Sequence, residues 1–166
     1  MEEKADRLKK MKIFKDFGSE EILKVARVAM EKIYPAGGII IKEGEVGEGL
    51  FSIVDGEVEI RKKLPGEKSE KSLAVLKEGD HFGEMSLIDG KSASASVVAV
   101  KPTICFVVKR NDYNDLLGRE PIIAMKLYRY YTATLCERLR KTDAFLLEEI
   151  MKNRRNIDSA ILSLST

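Results

Sequence analysis

Residues 81–99 read HFGEMSLIDGKSASASVVA, and this stretch holds the side chains whose types and spacing point to chemistry. Gly83 lets backbone approach a bound group closely, and Glu84 offers a carboxylate that accepts hydrogen bonds. The main-chain amides of Met85 and Ser86 can face an anion if a helix opens there. Ser92, Ser94 and Ser96 add hydroxyl donors, and Lys91 adds a mobile positive charge. Together these groups suit a small molecule with hydroxyls and a negative charge, such as a sugar phosphate. The stretch has no guanidinium to meet that charge, because no arginine occurs between Arg61 and Arg110.

The same residue inventory argues against catalysis. The chain has one histidine, His81, whereas a jelly-roll metal centre needs several imidazoles, so neither a metal nor a cofactor is expected. No paired nucleophile and base, phosphate-binding P-loop or dinucleotide fingerprint is present. Cys105 and Cys136 lie far apart in apolar surroundings, which suits reduced thiols in a cytoplasmic protein. The formal net charge is +2, from 29 Lys plus Arg against 27 Asp plus Glu, so charge does not single out nucleic acid or a membrane surface as partner. The opening MEEKADRLKKMKIF lacks the apolar centre of a signal peptide, and no apolar run reaches spanning length.

The elements that must hold residues 81–99 can be read from periodicity. At 166 residues, with 44% hydrophobic and 34% charged, the chain suits one globular domain of ordinary size or one with a helical appendage. Ser19 caps an expected helix with Glu20 and Glu21 in its first turn, and Ile22, Val25, Ala26 and Ala29 recur at helical spacing. That helix is expected to stop near Tyr34, before Pro35 and the pair Gly37-Gly38. Over residues 39–108 the texture changes to short apolar runs broken by glycine turns: IIIKEG, LFSIVDGEVEI, SLAVLKEGD, SASVVAV and ICFVV. Asp55-Gly56 suits a tight type I′ hairpin between FSIV and EVEI. KKLPGEKSEKS reads as an exposed loop. About eight short strands predict a mainly β fold, a double-stranded β-helix or jelly roll, with flanking helices.

Beyond Arg110 the helical period returns. Asp112 is expected to cap a short helix ended by Gly118, and Pro121 to open a long one. Met125, Tyr128, Thr132, Leu135, Leu139, Thr142 and Leu146 form a heptad-like seam, which either packs on the barrel or joins two copies as a homodimer. The expected partition is a helical segment over 1–34, a β core over 35–110 and helices over 111–166. KNRR at 152–155 reads as a solvated helix face, and IDSAILSLST as an ordered tail or a frayed end.

The stretches YPAGGIIIKEGEVGEGLFSIVDGEVEI and LKEGDHFGEMSLIDG, in this order between a helix and a long helix, resemble the cyclic nucleotide-binding domain family, the type found in cyclic AMP receptors and kinase regulatory subunits. The resemblance covers about residues 11–140. It implies a jelly roll that binds a small ligand, cyclic AMP or cyclic GMP. It implies that Glu84 holds the ribose, and that Phe82, Gly83, Met85 and Ser86 shape the sugar-phosphate site. The family usually carries an arginine for the phosphate where this chain has Ala93 and Ser94. RLRKTD resembles the part of the long helix that reaches the base, which nominates Thr142 and Asp143. Too few residues follow Arg140 for a winged helix, so no DNA-binding module is expected in this chain, which is either a piece of a longer protein or signals through a separate effector protein. Three roles stay open: a cyclic nucleotide sensor, a site for another small polar ligand, and a protein-interaction module that binds no nucleotide.

Overall fold

The apolar alternation in residues 30–109 builds two facing antiparallel sheets. This computed structural model describes the backbone of residues 1–64, 66 and 69–164, and side chains up to residue 157. Helix α1 (Glu2–Lys9), a 3-10 turn (Lys12–Phe14) and α2 (Ser19–Val28) precede β1 (Met30–Tyr34), β2 (Ile39–Ile41), β3 (Gly49–Asp55), β4 (Glu57–Lys63), β5 (Glu70–Lys77) and β6 (His81–Phe82). Helix α3 (Glu84–Asp89), β7 (Ser96–Ala99), β8 (Thr103–Lys109), α4 (Arg110–Arg119) and α5 (Pro121–Leu164) follow. The strand orders are β1-β8-β3-β6 and β2-β7-β4-β5, the jelly-roll arrangement expected from strand spacing.

The inward-facing residues of both sheets, Phe51, Ile53, Val58, Phe82, Val97, Cys105 and Val107, form the core. Each large side chain buried there contributes about 1.5–3 kcal/mol. Phe51 and Phe82 pair across β3 and β6, and their rings stack at 4.9 Å.

Several local expectations are corrected. The N-terminal helix ends at Val28, and Met30–Tyr34 is a strand whose partner is β8, with Met30 opposite Val107. Pairing across the fold thus overrides the local helical pattern. The cap of α2 is Gly18, whose amide donates to the Glu21 carboxylate at 2.6 Å, and Ser19 is the first helical residue. Asp55-Gly56 makes no hairpin, since β3 and β4 lie in different sheets. Gly56, at φ +112°, turns a corner between the sheets against Thr103, where a Cβ would stand 2.4 Å from the Thr103 hydroxyl.

Asp112 lies in the first turn of α4 with Lys109 as the cap, and Gly118 is inside the helix, which ends at Arg119 with Glu120 as its C-cap. Strands β4 and β5 extend into the expected polar loop, leaving residues 64–69 between them; Pro65, Glu67 and Lys68 lie outside the described residues. The same is true of the last two residues of the expected tail, whose earlier backbone continues α5 to Leu164.

Tertiary contacts divide the chain into two compact units, Met1–Leu127 and Tyr128–Thr166. In the first, α4 and the opening turns of α5 join the N-terminal helices: Lys24 meets Glu120 and Lys126 meets Glu21, both at 2.7 Å. Ile123 and Leu127 are buried there. The second unit is the remainder of α5, with Leu139, Leu146 and Ile150 exposed. Among the described residues no helix is long and apolar enough to cross a membrane.

Candidate functional site

The site begins at the end of β6. Phe82 is buried in the core, and Gly83 takes φ +90°, a left-handed conformation that starts α3. A Cβ on Gly83 would stand 2.4 Å from the Gly49 carbonyl oxygen, so close backbone approach as well as the turn requires glycine. Gly90, also left-handed at φ +71°, ends the six-residue helix.

Glu84, the first residue of α3, is only 3% exposed. Its Oε2 lies 4.0 Å from Nε2 of His81, which is equally buried. A carboxylate has several acceptor sites, so one so placed can accept a further hydrogen bond from a hydroxyl that enters beside it. Met85 points outward, whereas Ser86 is buried against Gly47, where a Cβ would meet the Ser86 Cβ at 2.7 Å.

The second half of the loop is held by the β2–β3 connection. Ser92 bridges Val46, Gly44 N–H donates to the Ala93 carbonyl at 2.9 Å, and Ala93 N–H donates to the Glu45 carbonyl at 2.8 Å. Gly47 in the same connection packs under α3, so one run, residues 44–49, organises both ends of the loop. Ser94 is exposed, and its carbonyl accepts from Lys62 Nζ at 2.9 Å.

Ser96 is buried, but strand alternation sets it on the face of β7 opposite the core residue Val97. Its hydroxyl accepts from Glu43 N–H at 3.1 Å and donates to Glu70 Oε1 at 3.2 Å. These residues line a groove of about 500 Å³ that also takes in Lys42 and Lys63. Thr142 lies in the second unit, exposed, with its hydroxyl donating to the Arg138 carbonyl at 3.0 Å. In the first unit, Gly83, Ser86, Ser92 and Ala93 thus all meet residues 44–49.

Two cations that contact this loop escape a reading confined to residues 81–99. Arg110, at the start of α4, donates to the carbonyl oxygens of Gly47 and Ser86, each at 3.0 Å. Lys62 arrives from β4, and the alternation Val58, Ile60, Lys62 is the sequence signal that could have found it. Just upstream, burial opposes the charge on Asp80, but the Lys12 ammonium at 2.6 Å and the Lys77 amide outweigh it and hold the carboxyl below its usual range.

What this arrangement offers is main-chain amides, hydroxyls and one buried carboxylate, suited to holding a hydroxylated anion. Among the described residues no group of three or more His, Cys, Asp or Glu could hold a metal ion.

Known proteins share both the sequence and this architecture. Residues 31–120 match the cyclic nucleotide-binding domain profile. The cyclic AMP receptor protein of Thermus thermophilus is 35% identical over 154 residues, covering 92% of this chain and 68% of that protein. The crystal structure of the Thermus thermophilus catabolite activator protein superposes with a TM-score of 0.69 at 35% identity, over 81% of this chain and 61% of that one. A cyclic nucleotide-binding domain from Methylobacillus flagellatus superposes with a TM-score of 0.72 at 33% identity, over 84% and 78%. Of the cGMP-dependent protein kinases it also matches, the chain spans 11–15%. The similarity thus runs to binding domains of receptors and regulated proteins, and it covers the helix-barrel-helix order as well as the loop around Gly83 and Glu84: the chain belongs to the cyclic nucleotide-binding domain family.

Proposed function

We propose that this chain is a regulatory sensor whose 83–96 loop takes up a cyclic nucleotide, cyclic AMP or cyclic GMP, and does no catalysis. The observation that carries this reading is the buried Glu84 carboxylate directly after Gly83, whose backbone lies against Gly49. Glu84 accepts from the ribose hydroxyl, the amides of Met85 and Ser86 face the phosphate, and Ser92 and Ser94 add donors from the other side. The Ser96 hydroxyl, engaged by Glu43 and Glu70, acts by fixing where the loop joins β7. Thr142, nominated for the base by the resemblance, lies in the second unit.

Occupancy shifts the population of arrangements available to α5, which transmits the signal to a separate effector in the cytoplasm. The exposed apolar residues Leu139, Leu146 and Ile150 support a homodimer through α5.

One observation favours a second reading. Ala93 and Ser94 stand where the family usually has an arginine, and losing a charge-assisted hydrogen bond weakens an anion by about 10-fold to 100-fold. A chain without that cation also suits a protein-interaction module that keeps the fold and binds no nucleotide.

Thermal unfolding with added cyclic AMP and cyclic GMP separates the two, because a ligand selective for the native state raises its apparent stability. The sensor reading expects a rise that Glu84→Ala abolishes. No rise at millimolar nucleotide favours the interaction module.

A further inference from the structure

We propose that Lys62 supplies, from strand β4, the positive charge for the ligand's phosphate that the 83–96 loop lacks; this rests on reading that loop as a cyclic nucleotide site. Strand β4 reads EVEIRKK. Val58 belongs to the core and Ile60 packs against it, whereas Glu59 and Arg61 pair with each other at 2.6 Å. Alternation then sets Lys62 on the same face as Val58 and Ile60, one step beyond the core at the rim of the barrel.

At that position the side chain is 43% exposed, outside the core and not enclosed by it. Lys62 carries an ammonium across to the loop, where Nζ donates to the Ser94 carbonyl at 2.9 Å. The charge therefore arrives beside Ala93 and Ser94, the two residues that stand where the usual arginine is missing. Its resting counter-charge is Glu43, with Oε1 at 3.9 Å. An ammonium has three donors and Ser94 takes one, so Lys62 can keep the loop carbonyl while donating to a phosphate oxygen.

Other cations near the loop are differently engaged. Arg110 is committed to the Gly47 and Ser86 carbonyls, Arg61 to Glu59 on the other face of β4, and Lys42 to Glu45 at 3.2 Å. Lys91, two residues before Ala93, is exposed, and its amide donates to the Asp89 carboxylate at 3.0 Å. A lysine in this role acts as a point charge without the planar fork of arginine, so phosphate binding should be weaker than with arginine and strongly dependent on salt.

The test titrates the full chain calorimetrically with cyclic AMP and with adenosine, which lacks the phosphate. Lys62→Met should weaken cyclic AMP about 10-fold or more, leave adenosine unchanged and flatten the salt dependence. Adding Ala93→Arg to Lys62→Met should restore cyclic AMP binding. If Lys62→Met fails to fold by circular dichroism, Lys62→Gln is read in its place. Unchanged cyclic AMP affinity in the folded variant overturns the role of Lys62 alone, as does an equal loss for adenosine, which would make the residue structural. A native chain that binds neither cyclic AMP nor cyclic GMP overturns the loop reading itself, and the role of Lys62 with it.

Discussion

Arg110 holds Ser86 by its main chain: Nη2 donates to the Ser86 carbonyl at 3.0 Å, and the same guanidinium reaches the Gly47 carbonyl through Nε and Nη2. The backbone amide of Arg110 donates to the Glu48 carbonyl at 2.8 Å as well. One residue at the start of α4 thus ties α3 to the β2–β3 connection. A planar fork meets two divergent carbonyls in a way an ammonium cannot. Arg110→Lys is expected to lower stability by about 1–2 kcal/mol and Arg110→Met by about 2–3 kcal/mol, measured by urea denaturation. A variant as stable as the native chain would show that the tie is incidental.

Gly83 and Gly90 make a matched pair at the two ends of α3. Both are left-handed, at φ +90° and +71°, so alanine costs about 1–2 kcal/mol of backbone strain at either position. Space separates them. A Cβ at Gly90 meets nothing within 4 Å, whereas at Gly83 it would stand 2.4 Å from a backbone oxygen of β3. Gly90→Ala should therefore stay within the strain cost. Gly83→Ala should exceed it, at about 3 kcal/mol or more, because strand or helix must move. Equal losses in denaturation would mean that the contact with Gly49 does not hold in solution.

The strands were legible because their side chains sort themselves. Phe51, Ile53 and Val58 announce a buried face, and the return of helical spacing after Arg110 announces α4 and α5. Strand partners were not legible. Asp55-Gly56 satisfies the local geometry of a hairpin and of a corner between sheets equally well, and the choice is made by Thr103, 46 residues along the chain from Glu57. Met30–Tyr34 likewise becomes a strand only because β8 lies beside it. At the site, Gly83 and Glu84 stood out because conformation and charge are properties of single residues. Lys62 and Arg110 did not, because what brings them to the loop is the register of β4 and the start of α4.

Thr103 makes the corner testable. It is fully buried, its hydroxyl accepts from Glu57 N–H at 3.2 Å, and its hydrogen faces the Lys101 carbonyl at 2.8 Å. Valine has nearly the same shape but leaves those backbone groups without their partner. Thr103→Val is expected to cost about 2 kcal/mol in thermal or chemical unfolding. A neutral result would assign the corner to Gly56 alone.

Asp80 carries the acid sensitivity of the segment leading into the site. Its Oδ1 meets Lys12 at 2.6 Å, Oδ2 accepts from Lys77 N–H at 2.9 Å, and its own carbonyl accepts from Ile53 N–H. The carboxyl is held below its usual range in the folded chain, so the native state favours the charged form. The stabilisation is fully present above the unfolded value near pH 4 and is lost as pH falls through the lower folded value. Asp80→Asn removes the charge at every pH. It should cost about 1 kcal/mol at pH 7 and bring no further loss from this position on acidification, so that the two unfolding curves converge toward pH 2. If native and variant chains lose stability in parallel from pH 7 to pH 2, the Lys12 contact contributes nothing to the turn before His81.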